Sequence, residues 1–399
     1  MIQKTQNIFL KLFSICFILF LLVSCSDSND PVTQQYFVKH IKSKNYTKQY
    51  LADIINTFSP ETADLLPDIN ISTDMITYNT FLPNGFPVVA SGIVVYPNNS
   101  DIKGIIVGLH PTITAESMSP STAMYSNELL LGAFGYAVII PDYIGFGVTT
   151  DKPHPYLHVE NTGIVSADMC LAAREYFKTI GKNIDSYPVS VVGYSQGGAA
   201  AIAFQKIVEN RYPTINIRKV YAGGGPYDIP AILEEFRNTK HTALPSSLPY
   251  VVLGLNYGDN LNLNFNNIFL EPLLSNYKTW FNKNYTNDEI DKFIGSTDIT
   301  TFMHPDLFKT ELNEDLQKFY TSALNNSLVE GWIPKAPIFL AHGTADDIVP
   351  VVCSNNAYKT YKNKGCNVEL KLVESKNHTE AALDFFTTTL FNIMFGDTK

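Results

Sequence analysis

The stretch Val189-Ser-Val-Val-Gly-Tyr-Ser-Gln-Gly-Gly-Ala-Ala-Ala-Ile-Ala-Phe204 decides the fold. Its first part, up to Tyr194, is a short β-branched run of the kind that forms a strand buried on both faces. Its last part, from Gly198 to Phe204, opens a helix. Between them lies Gly193-Tyr194-Ser195-Gln196-Gly197, a Gly-x-Ser-x-Gly motif at a strand-to-helix turn. The small flanking residues let backbones approach closely. The turn lifts the Ser195 hydroxyl off the sheet edge at a helix N-terminus, where developing negative charge is favoured. A purely structural glycine turn could carry the same string. The strand before it and the helix after it point instead to a nucleophile.

Similar runs recur on both sides of this one. Met75 to Phe81 and Val88 to Tyr96 flank Pro83-Asn84-Gly85 and predict a β-hairpin. Gly104 to His110, Tyr136 to Pro141, Val220 to Gly223, Pro337 to His342 and Val368 to Val373 are further buried-strand runs. With helical patterns between them they predict an α/β fold: a mostly parallel, eight-stranded sheet flanked by helices. The interval 229–329 breaks the rhythm. It contains no strand pattern, and Ile229–Arg237, Ile268–Phe281, Asp288–Phe293 and Asp306–Leu324 look helical. A structureless loop of that length is implausible in a compact domain. We read residues 229–329 as a mostly helical insertion between the sixth and seventh strands, with residues 76–228 and 330–399 forming the core. Leu248 to Leu255 either lines an acyl pocket or forms the core of the insertion.

A nucleophilic serine needs a base, and the base needs an orienting acid. After the seventh strand run the chain reads His342-Gly-Thr-Ala-Asp346-Asp347-Ile-Val-Pro350. Asp346 is the expected acid, with the adjacent Asp347 as runner-up. Asp346 could also simply cap the turn before Val349. After the eighth run, His378 sits on the loop leading to the last helix and is the expected base. The order serine, aspartate, histidine is the order of the hydrolase scaffold that carries this turn. The oxyanion needs two backbone donors. Gln196, directly after the serine, should supply one. The loop Leu109-His110-Pro111-Thr112 should supply the other, and because Pro111 has no N–H the donor falls to Thr112.

Other groups fit less well. His154 and His158 are four apart, but Pro153 and Pro155 break the helix a metal pair would need. His110, His342 and Asp142 end strands and should support the site. Gly145-Phe-Gly147 and Gly223-Gly-Gly225 match neither phosphate-loop spacing and read as turns. We expect neither cofactor nor metal.

These residues resemble the α/β-hydrolase superfamily over roughly residues 76–395, and more narrowly its secreted lipase and esterase branch. The resemblance rests on Gly135 to Gly147, Gly193 to Gly198, Ala222 to Asp228 and His342 to Asp346. It implies hydrolysis of carboxylic esters through an acyl-enzyme by Ser195, His378 and Asp346, under a helical cap. One departure is His110-Pro111, where many relatives have His-Gly. The alternative is a serine peptidase of the prolyl-oligopeptidase type. Those relatives usually carry a large propeller before the hydrolase domain, and here only about 50 residues separate Cys25 from the first strand run.

The N-terminus predicts where the enzyme acts. Lys4 and Lys11 precede an apolar run, Leu12 to Val23, shorter than the ~20 residues that span a bilayer. Leu22-Val-Ser-Cys25 resembles a bacterial lipobox, which implies a signal peptide over residues 1–24 and a lipidated Cys25. Residues 25–75 would be a tether and a lead-in helix near Tyr46–Phe58. The expected location is the cell envelope, most simply the outer membrane, with an ester (lipid or acylated glycan) as substrate. Removing the signal takes two lysines and no acid, so the net charge of −9 becomes −11. A chain this acidic lacks the footprint of a nucleic-acid binder. Of five cysteines, Cys170, Cys353 and Cys366 remain in the body. The last two flank a predicted helix of ~15 Å, too long for a disulfide that tolerates ~7 Å between Cα atoms.

Overall fold

A computed structural model describes residues 35–57 and 60–396. The expected signal peptide, residues 1–24, and Cys25 lie outside the described residues. The elements are β1 (Phe37–Tyr46), α1 (Lys48–Asn56), β2 (Ile71–Phe81), β3 (Pro87–Pro97), β4 (Ile105–Leu109), β5 (Ala137–Pro141), α2 (Val159–Thr179), β6 (Val189–Tyr194), α3 (Gln196–Arg211) and β7 (Ile217–Gly223). The insertion follows with α4 (Ile229–Thr239), α5 (Ser247–Gly258), α6 (Leu273–Trp280), α7 (Asn287–Ile294) and α8 (Glu314–Asn325). The chain then completes the sheet through β8 (Ile338–Gly343), α9 (Val352–Asn363), β9 (Val368–Val373) and α10 (His378–Phe391).

The sheet order is β1-β2-β3-β5-β4-β6-β7-β8-β9. From β5 to β9 neighbouring strands are parallel, while β1, β2 and β3 add an antiparallel flank. Successive core side chains alternate between faces, as strand geometry requires. Val189 and Val191 pack on the side of α2 and α3. Val192 and Tyr194 pack on the side of α1 and α10. The chain leaves β4 for β5 on one side, and β6 pairs on the other. The carboxyl ends of β4 and β6 therefore open a crevice, the usual ligand position in such sheets.

The sheet has nine strands among the described residues, not eight. The additional strand, β1, falls in the segment expected to be tether. Its Phe-Val-Lys-His-Ile-Lys-Ser-Lys-Asn-Tyr sequence is almost wholly exposed and pairs with β2 through a register broken at two points. It is an edge strand, and edge strands carry lysines and irregularities that discourage further pairing. A search for continuous apolar runs passes over such a strand. The lead-in helix does form, over Lys48–Asn56 with Thr47 as its cap. The hairpin also forms, with Gly85 at φ 81° in the turn.

The long interval between β7 and β8 is helical as expected. Its second predicted helix, Ile268–Phe281, shrinks to α6, and Asp306–Leu324 divides into a single turn at Pro305–Phe308 and α8. Cys353 and Cys366 lie on either side of the body of α9, and both are buried free thiols, as is Cys170.

Candidate active site

Ser195 joins β6 to α3 at φ 58° and ψ −125°, a region that a residue with a side chain occupies only when its surroundings impose it. The glycines on either side explain how. A Cβ on Gly193 would strike the Gly197 carbonyl, and one on Gly197 would strike the Leu109 carbonyl at the end of β4. The turn is therefore clamped between two strands. The Ser195 side chain has no hydrogen-bond partner among the described residues, and it faces a cavity.

The expected acid and the expected base meet, although 32 residues separate them. Asp346 Oδ2 accepts the Nδ1–H of His378 at 2.7 Å. Oδ1 accepts the backbone N–H groups of Ile348 (3.0 Å) and Val349 (2.8 Å). Asp346 thus also caps the turn, with one oxygen for each task. Its side chain is fully buried. Burial alone would raise its pKa, but the bonds from His342 and His378 outweigh that and hold it well below the usual carboxylate range. Asp347, the runner-up, is exposed.

His378 is fixed by local sequence. Asn377 and Glu380 form a capping box: Asn377 Oδ1 accepts from the Glu380 N–H at 2.9 Å, and Glu380 Oε2 accepts from the Asn377 N–H at 3.3 Å. His378 is therefore the first residue of α10. Tyr194, adjacent to Ser195, packs its ring 5.1 Å from the His378 ring and donates its hydroxyl to the His378 carbonyl at 2.7 Å. This side chain ties the loop of the base to the strand of the serine.

On the other side lie the two expected oxyanion donors. Gln196 N–H is the first of α3 and has no intrahelical acceptor. The Gln196 side chain donates through Nε2 to His154 Nε2 at 3.0 Å, and His154 Nδ1–H donates to the Ile144 carbonyl at 2.7 Å. Burial lowers the His154 pKa to about 3, which keeps that tautomer neutral. Thr112 lines the same cavity as Ser195, and its Oγ1 lies 2.8 Å from the Tyr156 hydroxyl. His110 is buried, its Nδ1 2.8 Å from the Pro111 carbonyl, and burial lowers its pKa to about 4. Asp142 holds the neighbouring loop, accepting from Ser91 Oγ (2.5 Å) and Ser121 N–H (2.8 Å).

His154 and His158 do not converge. His158 caps α2 through Nδ1, and its Nε2 lies 3.2 Å from Asp259 in the insertion. Among the described residues no group of three or more His, Cys, Asp or Glu side chains is placed to hold a metal.

The insertion closes over Ser195. A cavity of ≈ 40 Å³ reaches the serine, walled by Leu233 and Phe236 of α4, Leu248 and Val251 of α5, and Ile348 and Val349 of the acid loop. Leu248 and Val251 thus line the cavity, while Val252 and Leu255 of the same run lie in the core of the insertion. The insertion is tied to the loops that carry the site. Tyr250 hydroxyl donates to the Ile113 carbonyl (3.2 Å), Thr114 Oγ1 to the Tyr285 carbonyl (2.8 Å), and Ala243 N–H to the Asp347 carbonyl (3.4 Å). Tyr156 and Tyr194 are the site residues that sequence reading missed. Tyr156 stacks on Tyr250 at 4.5 Å, a long-range contact with no local signal. Tyr194 was visible inside the motif, but its reach to His378 was not.

Comparison with known proteins gives the family and the fold. Residues 118–391 match the secretory lipase family. No curated protein sequence matches the chain at a significant level. Among solved structures, a protein from Legionella pneumophila superposes with a TM-score of 0.82 at 21% identity, covering 91% of this chain and 99% of its own. The rice cell wall degrading esterase LipA from Xanthomonas oryzae superposes with a TM-score of 0.76 at 21% identity over 92% of this chain and 99% of its own. Candida antarctica lipase A in its closed state does so at 0.56 and 16% identity, over 94% and 87%. At these identities the structures establish the α/β-hydrolase fold. The family match covers more than half of the chain and rules in favour of esters over the peptidase alternative. The chain therefore belongs to the secretory lipase family and is a carboxylic-ester hydrolase of the α/β-hydrolase fold.

Proposed function

We propose that this enzyme hydrolyses esters through an acyl-enzyme on Ser195. His378 removes the serine proton as the oxygen attacks the carbonyl carbon, and Asp346 holds the imidazole and stabilises its cation. Gln196 N–H and Thr112 N–H take the developing oxyanion. His378 then protonates the leaving alcohol, and water repeats the sequence on the acyl-enzyme. Each step uses only side chains, backbone and water. The observation that carries the reading is the 2.7 Å Asp346–His378 bond on the loop tied by Tyr194 to the strand of Ser195.

The Thr112 assignment makes a sharp prediction. Thr112→Ala keeps the N–H and should retain activity within about tenfold, whereas Thr112→Pro should lose ~10²-fold or more. Equal kcat/KM values in the two variants would remove Thr112 from the oxyanion hole.

Residues 229–329 act as the cap, and its apolar wall sets the acyl group. A cavity of ≈ 40 Å³ is far smaller than the ~150 Å³ that admits benzene. It suits an acetyl or other very short acyl group. On aryl esters from acetate to palmitate, kcat/KM should fall at least about tenfold by octanoate, since each extra methylene needs space the cap fills. Phe236→Ala should move the optimum to longer chains. A palmitate ester cleaved as well as acetate would contradict this assignment of the pocket.

The secretory lipase family supports an extracellular or envelope location, and among the described residues no helix is long and apolar enough to cross a membrane. Cleavage before Cys25 and lipidation of its thiol would tether the enzyme to the cell envelope, at the outer membrane. The polar residues that follow Cys25 would serve as the leash.

A further inference from the structure

We propose that His342 is a positioning residue for the acid, a second histidine whose Nε2–H, donated to the Val349 carbonyl, lies against the same Asp346 Oδ2 that His378 binds. The inference rests on the triad reading above. His342 ends β8, four residues before Asp346, and its side chain is wholly buried. Its Nε2 lies 3.1 Å from Asp346 Oδ2 and 2.8 Å from the Val349 carbonyl oxygen. Both are acceptors, so the ring proton sits on Nε2. Nδ1 is then a lone pair and accepts the hydroxyl of Ser354, 2.6 Å away on α9. Ser354 therefore fixes the tautomer, as an outer partner fixes the ring of a ligating histidine.

The carboxylate is consequently held at both oxygens. Oδ1 is pinned by two backbone N–H groups and Oδ2 lies between two imidazoles. This has two consequences for His378. The carboxylate cannot turn away from it, which keeps the base aimed. The proton of His342 also draws on the carboxylate charge, which weakens the hold of Asp346 on the His378 Nδ1–H.

Cys353 on α9 and Tyr194 at the end of β6 also interact with Asp346, and Asp228 at the start of α4 interacts with Cys353. Burial pushes the Cys353 thiol and the Tyr194 hydroxyl up, so both stay neutral at working pH. Asp228 is occupied by Asn356 Nδ2 at 2.8 Å and Ala231 N–H at 3.4 Å. His342 is thus the side chain best placed to alter the Asp346–His378 bond.

The test is the pH profile of acetate-ester hydrolysis for wild type, His342→Leu, His342→Gln and Ser354→Ala, each with a thermal unfolding curve. His342→Leu should lower kcat roughly 10- to 100-fold with little change in KM, the size of effect a lost outer partner produces. The acid limb of kcat/KM, which reports the free-enzyme base, should move to higher pH. His342→Gln brings an amide N–H close to the Nε2 position and should restore most of the rate and the limb. Ser354→Ala leaves the ring in place and should shift the limb in the same direction by less. If His342→Leu fails to fold, the Gln and Ser354 variants carry the decision. Unmoved acid limbs in the folded variants, or rate losses that merely follow the unfolded fraction, would overturn the role of His342. Asp346→Asn serves as the control: were it fully active, the triad reading itself would fall, whereas an inactive Asp346→Asn with unmoved His342 profiles removes this inference alone.

Discussion

Ser195→Ala should give a folded protein whose kcat/KM on acetate esters is lower by on the order of 10⁵- to 10⁶-fold, the cost of losing a nucleophile that acts as a unit with its base. Two features of the structure make the loss clean. The hydroxyl has no hydrogen-bond partner among the described residues, so its removal leaves no partner unsatisfied. The φ of 58° is imposed by contacts at Gly193 and Gly197, not by the hydroxyl, so alanine inherits the same backbone. Circular dichroism and the unfolding midpoint should therefore stay close to wild type while turnover disappears. A variant that still hydrolyses esters at a substantial rate would mean that another group attacks the carbonyl.

Asp346→Asn should cost about 10⁴-fold in kcat, for a reason specific to this loop. Oδ1 accepts from the Ile348 and Val349 N–H groups, so the amide oxygen must take that position. The amide nitrogen is then directed at His378 Nδ1 and His342 Nε2, where donors already point. The His378 ring must change tautomer, which puts a proton on the nitrogen that should accept one from Ser195. Asp347→Asn, on the exposed neighbour, should remain close to wild type in the same kcat measurement. Comparable losses in both variants would show that the loop, and not the Asp346 carboxylate, is being sensed.

The parts of the site that were legible in the sequence share one property: each follows directly from a strand run. Ser195 and Asp346 follow β6 and β8, whose residues are all buried and read as apolar runs. His378 follows β9, which is not the doubly buried strand expected but a mostly exposed edge strand, legible because Val-Glu-Leu-Lys-Leu alternates apolar and polar residues. β1 was missed because its sequence offers no comparable run. Its lysines serve solvent, and only its pairing with β2 makes it a strand. Tyr156 was missed because its position depends on stacking with Tyr250, nearly a hundred residues away in the insertion. The acyl cavity was only half visible for the same reason. Leu248 and Val251 face it while Val252 and Leu255 do not, and helix phase alone does not say which face meets α4 and which meets the serine. His342 could be read as strand-end support, but the sharing of Oδ2 appears only when β8, α9 and α10 are brought together.

The most direct test of the central claim is covalent trapping. Wild-type enzyme treated with a fluorophosphonate, which phosphonylates activated serines, should gain one adduct per chain. Peptide mapping should place it on Ser195, with activity lost in proportion to labelling and no adduct on Ser195→Ala. An adduct at another residue, or a fully labelled chain that still turns over acetate esters, would contradict the account.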